Sequence, residues 1–71
     1  MKKPIGTIVA GNIKKLRQKR SVTQEELAEK IKTSYKYIQR IEGKTPPDIR
    51  LTTLERISRA LETSPAKLLD E

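Results

Sequence analysis

Four side chains between residues 35 and 40 could make directional hydrogen bonds from one side of a helix: Tyr35, Lys36, Gln39 and Arg40. Ile38 and Ile41, spaced by three, take the opposite side. Lys and Arg can donate to guanine O6 and N7, Gln can pair with adenine, and Tyr can touch a thymine methyl or donate to a phosphate. This is chemistry of recognition, not of bond making. The chain has no Cys and no His, which excludes thiolate nucleophiles, imidazole bases, disulfides and the usual zinc sites together. The carboxylates are scattered over helix surfaces with no convergent pair, so no enzyme, metal or cofactor is expected. Gly43-Lys44-Thr45 has the look of the end of a phosphate-binding loop. The earlier Gly that such a loop requires is Ile38 here, and Pro46-Pro47 forbid the helix that must follow.

The charge distribution points the same way. The 71 residues carry +7, but residues 1–44 carry +8 and residues 45–71 carry −1. The basic surplus lies in the half that holds the four side chains, which suggests a polyanionic partner, nucleic acid first and an anionic membrane second. A solvated charged surface would give the same count. No apolar run approaches the roughly 18 residues of a membrane span, and the N-terminus has no signal-peptide core. Met1-Lys2-Lys3 is read as the start of a soluble, cytoplasmic protein, and the absence of Cys fits a reducing compartment.

Five helices must position the reading residues, with no strand and no linker. Met1 to Pro4 is a short basic arm on a single domain of residues 1–71. Val9, Ile13 and Leu16 form the stripe of a first helix, firm from Thr7 to about Lys19, because Gly6 and Gly11 weaken its early turns. Thr23 with Glu26 three residues on is a capping box, and Val22 with Leu27 a hydrophobic staple, for a second helix whose buried face is Leu27, Ala28 and Ile31. Ser34 caps a third helix over Tyr35 to about Glu42, and Gly43 ends it. A fourth begins between Asp48 and Thr52, with Thr52 and Glu55 as a second capping box and Leu54, Ile57 and Leu61 as its stripe. A fifth is one or two turns, with Ser64 as cap, Pro65 at its first position, and Leu68 and Leu69 docking inward. The second and third helices are joined by so short a turn that they must cross steeply. An ordinary corner between two helices would read alike.

TQEELAEKI followed by SYKYIQRIEGK, preceded by IKKLRQKR and followed by LERISRAL, resembles the lambda-repressor-like (Cro/C1, or XRE) helix-turn-helix family over about residues 9–70. The resemblance implies a compact all-α fold of five helices that binds operator DNA as a two-fold dimer, with the third helix in the major groove. Carried over by position, it implies that Tyr35, Lys36 and Arg40 read bases, with Gln39 between them and Tyr37 beside them. Gln24 would hydrogen-bond a phosphate and steady the start of the third helix. Ser34, Lys44, Thr45 and Arg50 would meet the sugar-phosphate backbone. Arg17 and Glu42 would form a structural ion pair, with Arg17 also near a phosphate. Lys32 stands where the family pattern has Gly, and Glu42 runs directly into Gly43, so the turn and the following loop depart from the pattern.

The resemblance implies a transcriptional regulator, a repressor by occupancy of promoter DNA. Glu25 and Glu29 on the second helix could touch RNA polymerase. The alternative is a protein-interaction module, such as an antitoxin or partner subunit with weak DNA binding of its own. A peripheral membrane role for the first helix is disfavoured by a stripe without aromatic residues. The dimer interface is expected on the last two helices, at Leu68 and Leu69.

Overall fold

Hydroxyl side chains decide where three of the helices begin. In a computed structural model, which describes residues 3–71, the order is α1 Ile5–Lys19, α2 Gln24–Lys30, α3 Tyr35–Ile41, α4 Leu51–Ala60 and α5 Pro65–Leu68, with no strand among the described residues. Thr23 Oγ1 accepts from the Glu26 N–H at 3.0 Å while Glu26 Oε1 accepts from the Thr23 N–H at 2.8 Å, which completes the capping box. Ser34 Oγ accepts from the Tyr37 N–H at 3.1 Å and Ser64 Oγ from the Lys67 N–H at 3.3 Å, so α3 and α5 start in the same way. Each side chain satisfies one N–H that the first turn of a helix leaves without a partner.

The reach from Thr23 also has a titration signature. Hydrogen bonds from the Thr23 backbone, then from its side chain, hold the Glu26 carboxyl below its ordinary value of 4.5. The folded state therefore resists protonating Glu26 more than the unfolded chain does. Its contribution is present above pH 4.5 and is lost as pH falls through the lowered value. Glu26→Gln keeps the reach to Thr23 but cannot titrate. Thermal melts from neutral to acid pH should therefore fall less steeply in the variant than in the wild type.

One start and one capping box differ from expectation, while α4 starts within the expected range. α1 begins at Ile5, two residues before Thr7, because Pro4 sits at φ −55° and its carbonyl accepts from Thr7 and Ile8 at 3.0 and 3.2 Å. The fixed backbone of Pro4 offsets the weakness of Gly6. Lys3 and Pro4 of the expected arm are exposed; Met1 and Lys2 lie outside the described residues. The capping box at Thr52 and Glu55 does not form, because α4 starts at Leu51 with Arg50 in the capping position, so Thr52 is already inside the helix.

The core draws on all five helices: Val9 and Ile13 from α1, Leu27 and Ala28 from α2, Ile38 and Ile41 from α3, Leu54 and Ile57 from α4, and Leu68 from α5, with Ile31 and Leu61 just past the ends of α2 and α4. Leu16, Val22, Tyr37, Ile49 and Ala60 pack against it. Leu68 is fully buried within the protomer, which removes it from any interface, whereas Leu69 is 42% exposed and does not dock inward. Asn12, half-buried on α1, donates through Nδ2 to the carbonyls of Leu68 at 2.8 Å and Asp70 at 2.7 Å, and more distantly to that of Lys67 at 3.4 Å. These bonds tie the last turn of α5 and the residues just after it to α1.

Left-handed residues close three helices. Ser21, Lys32 and Glu62 have φ of 56°, 58° and 55°. In each case the next amide reaches back into the helix: Val22 to Arg17 O at 2.9 Å, Thr33 to Ala28 O at 2.8 Å and Thr63 to Ser58 O at 2.8 Å. This is the Schellman arrangement, normally built on Gly because a Cβ there crowds the following carbonyl. Lys32→Gly should remove that crowding at the cost of a freer unfolded chain, for a net gain of about 0.5–1 kcal/mol in urea denaturation. Glu62→Gly should gain less, because it removes a carboxylate 3.6 Å from Arg20. Gly43, by contrast, is not left-handed. The turn of α3 ends through Glu42 in the right-handed region, and a Cβ on Gly43 would lie 3.3 Å from both Gln39 O and Arg40 O. Close approach to those carbonyls, not a positive φ, is what favours glycine there.

Candidate nucleic-acid interface

Successive residues of an α-helix turn by about 100°. Tyr35, Gln39, Lys36 and Arg40 therefore span an arc of about 140°, and Ile38 and Ile41 fall on the opposite side. The structure follows this division: the four polar residues are exposed, Tyr35 by 44%, and the two isoleucines are fully buried. Tyr37 stands outside the arc, half-buried against the core. It borders a hollow shared with Lys32, Arg50 and Arg56, on the flank of α3 facing α4. Tyr37, expected beside the base-reading residues, thus stands on the flank of α3 nearer α4 and outside the exposed arc.

A buried ionic cluster fixes the far end of α3. Arg17 Nε donates to Glu42 Oε2 at 2.8 Å and Nη2 to Oε1 at 3.0 Å, a bidentate pair whose side chains are 11% and 3% exposed. Arg17 Nη1 donates to the Val22 carbonyl at 2.9 Å. Gln24 Nε2 donates to Glu42 Oε1 at 3.0 Å. One carboxylate thus joins α1, the start of α2 and the end of α3. The hydrogen bonds to Glu42 hold the Arg17 guanidinium charged even more firmly than usual, partly offset by burial. No buried side-chain polar atom lacks a partner among the described residues.

This geometry changes the picture of two expected phosphate ligands. Arg17 uses three of its five N–H groups internally and is mostly buried, which leaves little of it to offer a phosphate. Gln24 braces the end of α3 through Glu42, not its start. One of its two amide hydrogens and its carbonyl remain outside that bond. Gln24 borders a shallow hollow with Tyr35, Gln18, Ser21 and Thr23, at the mouth between the starts of α2 and α3. Nothing in the spacing of Gln18 or Ser21 singles them out; they arrive there because the left-handed Ser21 turns the chain back towards α2.

Ser34 is exposed and its oxygen already accepts from Tyr37, so only its hydroxyl hydrogen could serve a phosphate. Lys44, Thr45 and Arg50 are exposed along the loop that leaves α3. Arg50, at the start of α4, sits on the Tyr37 flank and apart from Lys44 and Thr45. Glu25 and Glu29 are exposed on α2. Among the described residues there is no group of His, Cys, Asp and Glu that could hold a metal, and no helix is long and apolar enough to cross a membrane.

A family model described as helix-turn-helix matches residues 13–68. SinR, the master regulator for biofilm formation, solved in complex with DNA, is 31% identical and superposes with a TM-score of 0.81 over 87% of this chain and 98% of SinR. The wild-type restriction-modification controller protein C.Esp1396I is also 31% identical, with a TM-score of 0.81 over 94% of this chain and 87% of that one. A hypothetical transcription factor from Neisseria, NHTF, is 25% identical, with a TM-score of 0.87 over 94% of this chain and 76% of that one. No curated protein matches the sequence.

Proposed function

Because the chain belongs to the Cro/C1-type (XRE) helix-turn-helix family and has the fold of its DNA-binding regulators, we propose that it is a sequence-specific regulator of transcription that lays α3 in the major groove of duplex DNA. Its family and fold are those of regulators, not of enzymes. The observation that carries the reading is the exposed arc of Tyr35, Lys36, Gln39 and Arg40 on a helix held at its end by Glu42. Side chains that read base edges need a rigid support, since a small displacement loses a directional bond. Two relatives are described with nucleic acid: SinR in complex with DNA and C.Esp1396I as a nucleoprotein complex.

Residues 1–71 act as one DNA-binding domain, in the cytoplasm. Tyr35, Lys36, Gln39 and Arg40 read bases. The remaining amide hydrogen of Gln24, the hydroxyl of Ser34, and Lys44, Thr45 and Arg50 hold the backbone. The protein acts as a homodimer on a two-fold operator and represses by occupying promoter DNA, with Glu25 and Glu29 open to RNA polymerase. A protomer of 34 × 22 × 22 Å suits this arrangement. Two of them side by side can hold their α3 helices at the separation of about 34 Å between half-site centres.

Selection of sites from random duplex DNA, followed by titration against salt, tests the proposal. A few palindromic sites should emerge, and affinity should fall steeply between 50 and 200 mM salt, by about 10³-fold if six phosphates are neutralised. A flat salt response with no preferred site would favour the partner-protein reading.

A further inference from the structure

Lys30 and Lys32, at the end of α2 and in the turn after it, meet Arg56 and Arg59 of α4 around a hollow floored by Ile31 and Ala60. No carboxylate lines it. The hollows at α1 and α5, at Tyr37 and at Gln24 each include at least one. All four cations are exposed. Lys30, Lys32 and Arg56 enter no ion pair among the described residues, and Arg59 meets only Glu55, at 3.5 Å on the open surface. Glu26, one turn before Lys30, is turned back onto the Thr23 N–H at 2.8 Å. The carbonyls at the end of α2 suit Lys30 and Lys32, but they give Arg56 and Arg59 no reason to gather there. Four like charges around one hollow repel one another, and a bound anion would relieve that repulsion.

We propose that the hollow is a docking surface for an acidic segment of a partner protein, seated between α2 and α4. Three observations select that occupant. The lining is complementary in charge to carboxylates, and the fork of an arginine pairs with a carboxylate through two bonds. The floor is apolar, and the aliphatic stems of the four cations extend it. A polypeptide has aliphatic side chains to lay on such a floor, whereas a sugar-phosphate backbone has none. The walls are exposed, so the hollow cannot enclose a small molecule in the way that small-molecule sites do. A second copy of this chain, at +7, would bring mainly cations to it.

None of Tyr35, Lys36, Gln39 and Arg40 lines the hollow. The surface is therefore separate from the arc assigned to bases, and it adds a partner to the DNA-regulator reading without depending on it.

Fluorescence anisotropy with the full chain tests the assignment. The probe is a labelled peptide of about twelve residues, glutamate with leucine at every fourth position, so that the leucines share one face if it becomes helical. It should bind saturably, and the same peptide with glutamine for every glutamate should not. Arg56→Gln combined with Arg59→Gln should weaken binding by about 10-fold or more. Lys14→Gln combined with Lys15→Gln removes the same two charges from α1, outside the hollow, and should change binding by less than about twofold. All four side chains are exposed, so helix content by circular dichroism should be retained in both variants. Absence of saturable binding, equal binding of the glutamine peptide, or equal loss in the two double variants would each overturn the proposal. So would an oligothymidylate of equal charge that binds more tightly than the peptide and loses that binding in the Arg56 and Arg59 variant, which would make the hollow a nucleic-acid surface. A protein that binds the peptide through Arg56 and Arg59 yet selects no DNA site would uphold the docking surface and reject the DNA reading alone.

Discussion

Glu42→Ala should lower stability by about 3–5 kcal/mol, the cost of leaving a buried guanidinium without its carboxylate. Three hydrogen bonds disappear with one side chain, two from Arg17 and one from Gln24. A domain of 71 residues has a total stability of about 4–10 kcal/mol, so the loss takes a large share of it. Urea denaturation measures the effect. Most of the cost is the stranded charge, not the worth of the pair. Apolar replacements of both partners of such a pair are often close to neutral. Arg17→Met combined with Glu42→Leu should therefore recover much of what Glu42→Ala loses, while leaving Gln24 without its acceptor. If the single and double variants are equally unstable, the carboxylate matters for its hydrogen bonds and shape, and the charge argument fails. DNA affinity should fall in both, since the end of α3 has lost its brace.

Lys36→Ala and Arg40→Ala should each cost about 1–3 kcal/mol at the preferred site, or roughly 5- to 150-fold in affinity. Neither side chain enters an ion pair among the described residues, and both are exposed. Stability should therefore stay within about 0.5 kcal/mol of the wild type, which separates loss of recognition from loss of folding. Each variant should relax preference at one operator position. Lys44→Ala should weaken all sequences alike and reduce the salt slope by about 1. Binding to an array of single-base operator variants distinguishes the patterns. An unchanged preference in both Lys36→Ala and Arg40→Ala would remove α3 from the groove.

Local rules were enough to place most of the helices. Thr23, Ser34 and Ser64 act through bonds to residues three along, so their roles are written in a window of four residues. The apolar stripes are equally local, and Ile38, Ile41, Leu54 and Ile57 are buried where periodicity puts them. What spacing could not supply comes from contacts far apart in sequence. Asn12 is an unremarkable polar residue until α5 returns to it. Leu69 looks as apolar as Leu68, yet one more step of about 100° carries it out to solvent. Gln24 sits where the resemblance puts a phosphate ligand, but its bond to Glu42 exists only because α2 and α3 pack together. Nothing in the residue types of Ser21 and Glu62 announces a positive φ. At Lys32 the signal is the Gly that the family pattern has in its place.

The bond from Asn12 to the carbonyls of residues 67–70 also bears on how the chain is made. A ribosome delivers α1 first, with Asn12 facing water and Val9 and Ile13 uncovered, and α5 more than fifty residues later. Neither end can finish without the other. α2 and α3 with their capping signals can begin to pair earlier, but the core that holds them is closed only when Leu68 arrives. A nascent chain stopped before that point carries α3 without its complete support. It is therefore open to proteases until the last turn is made.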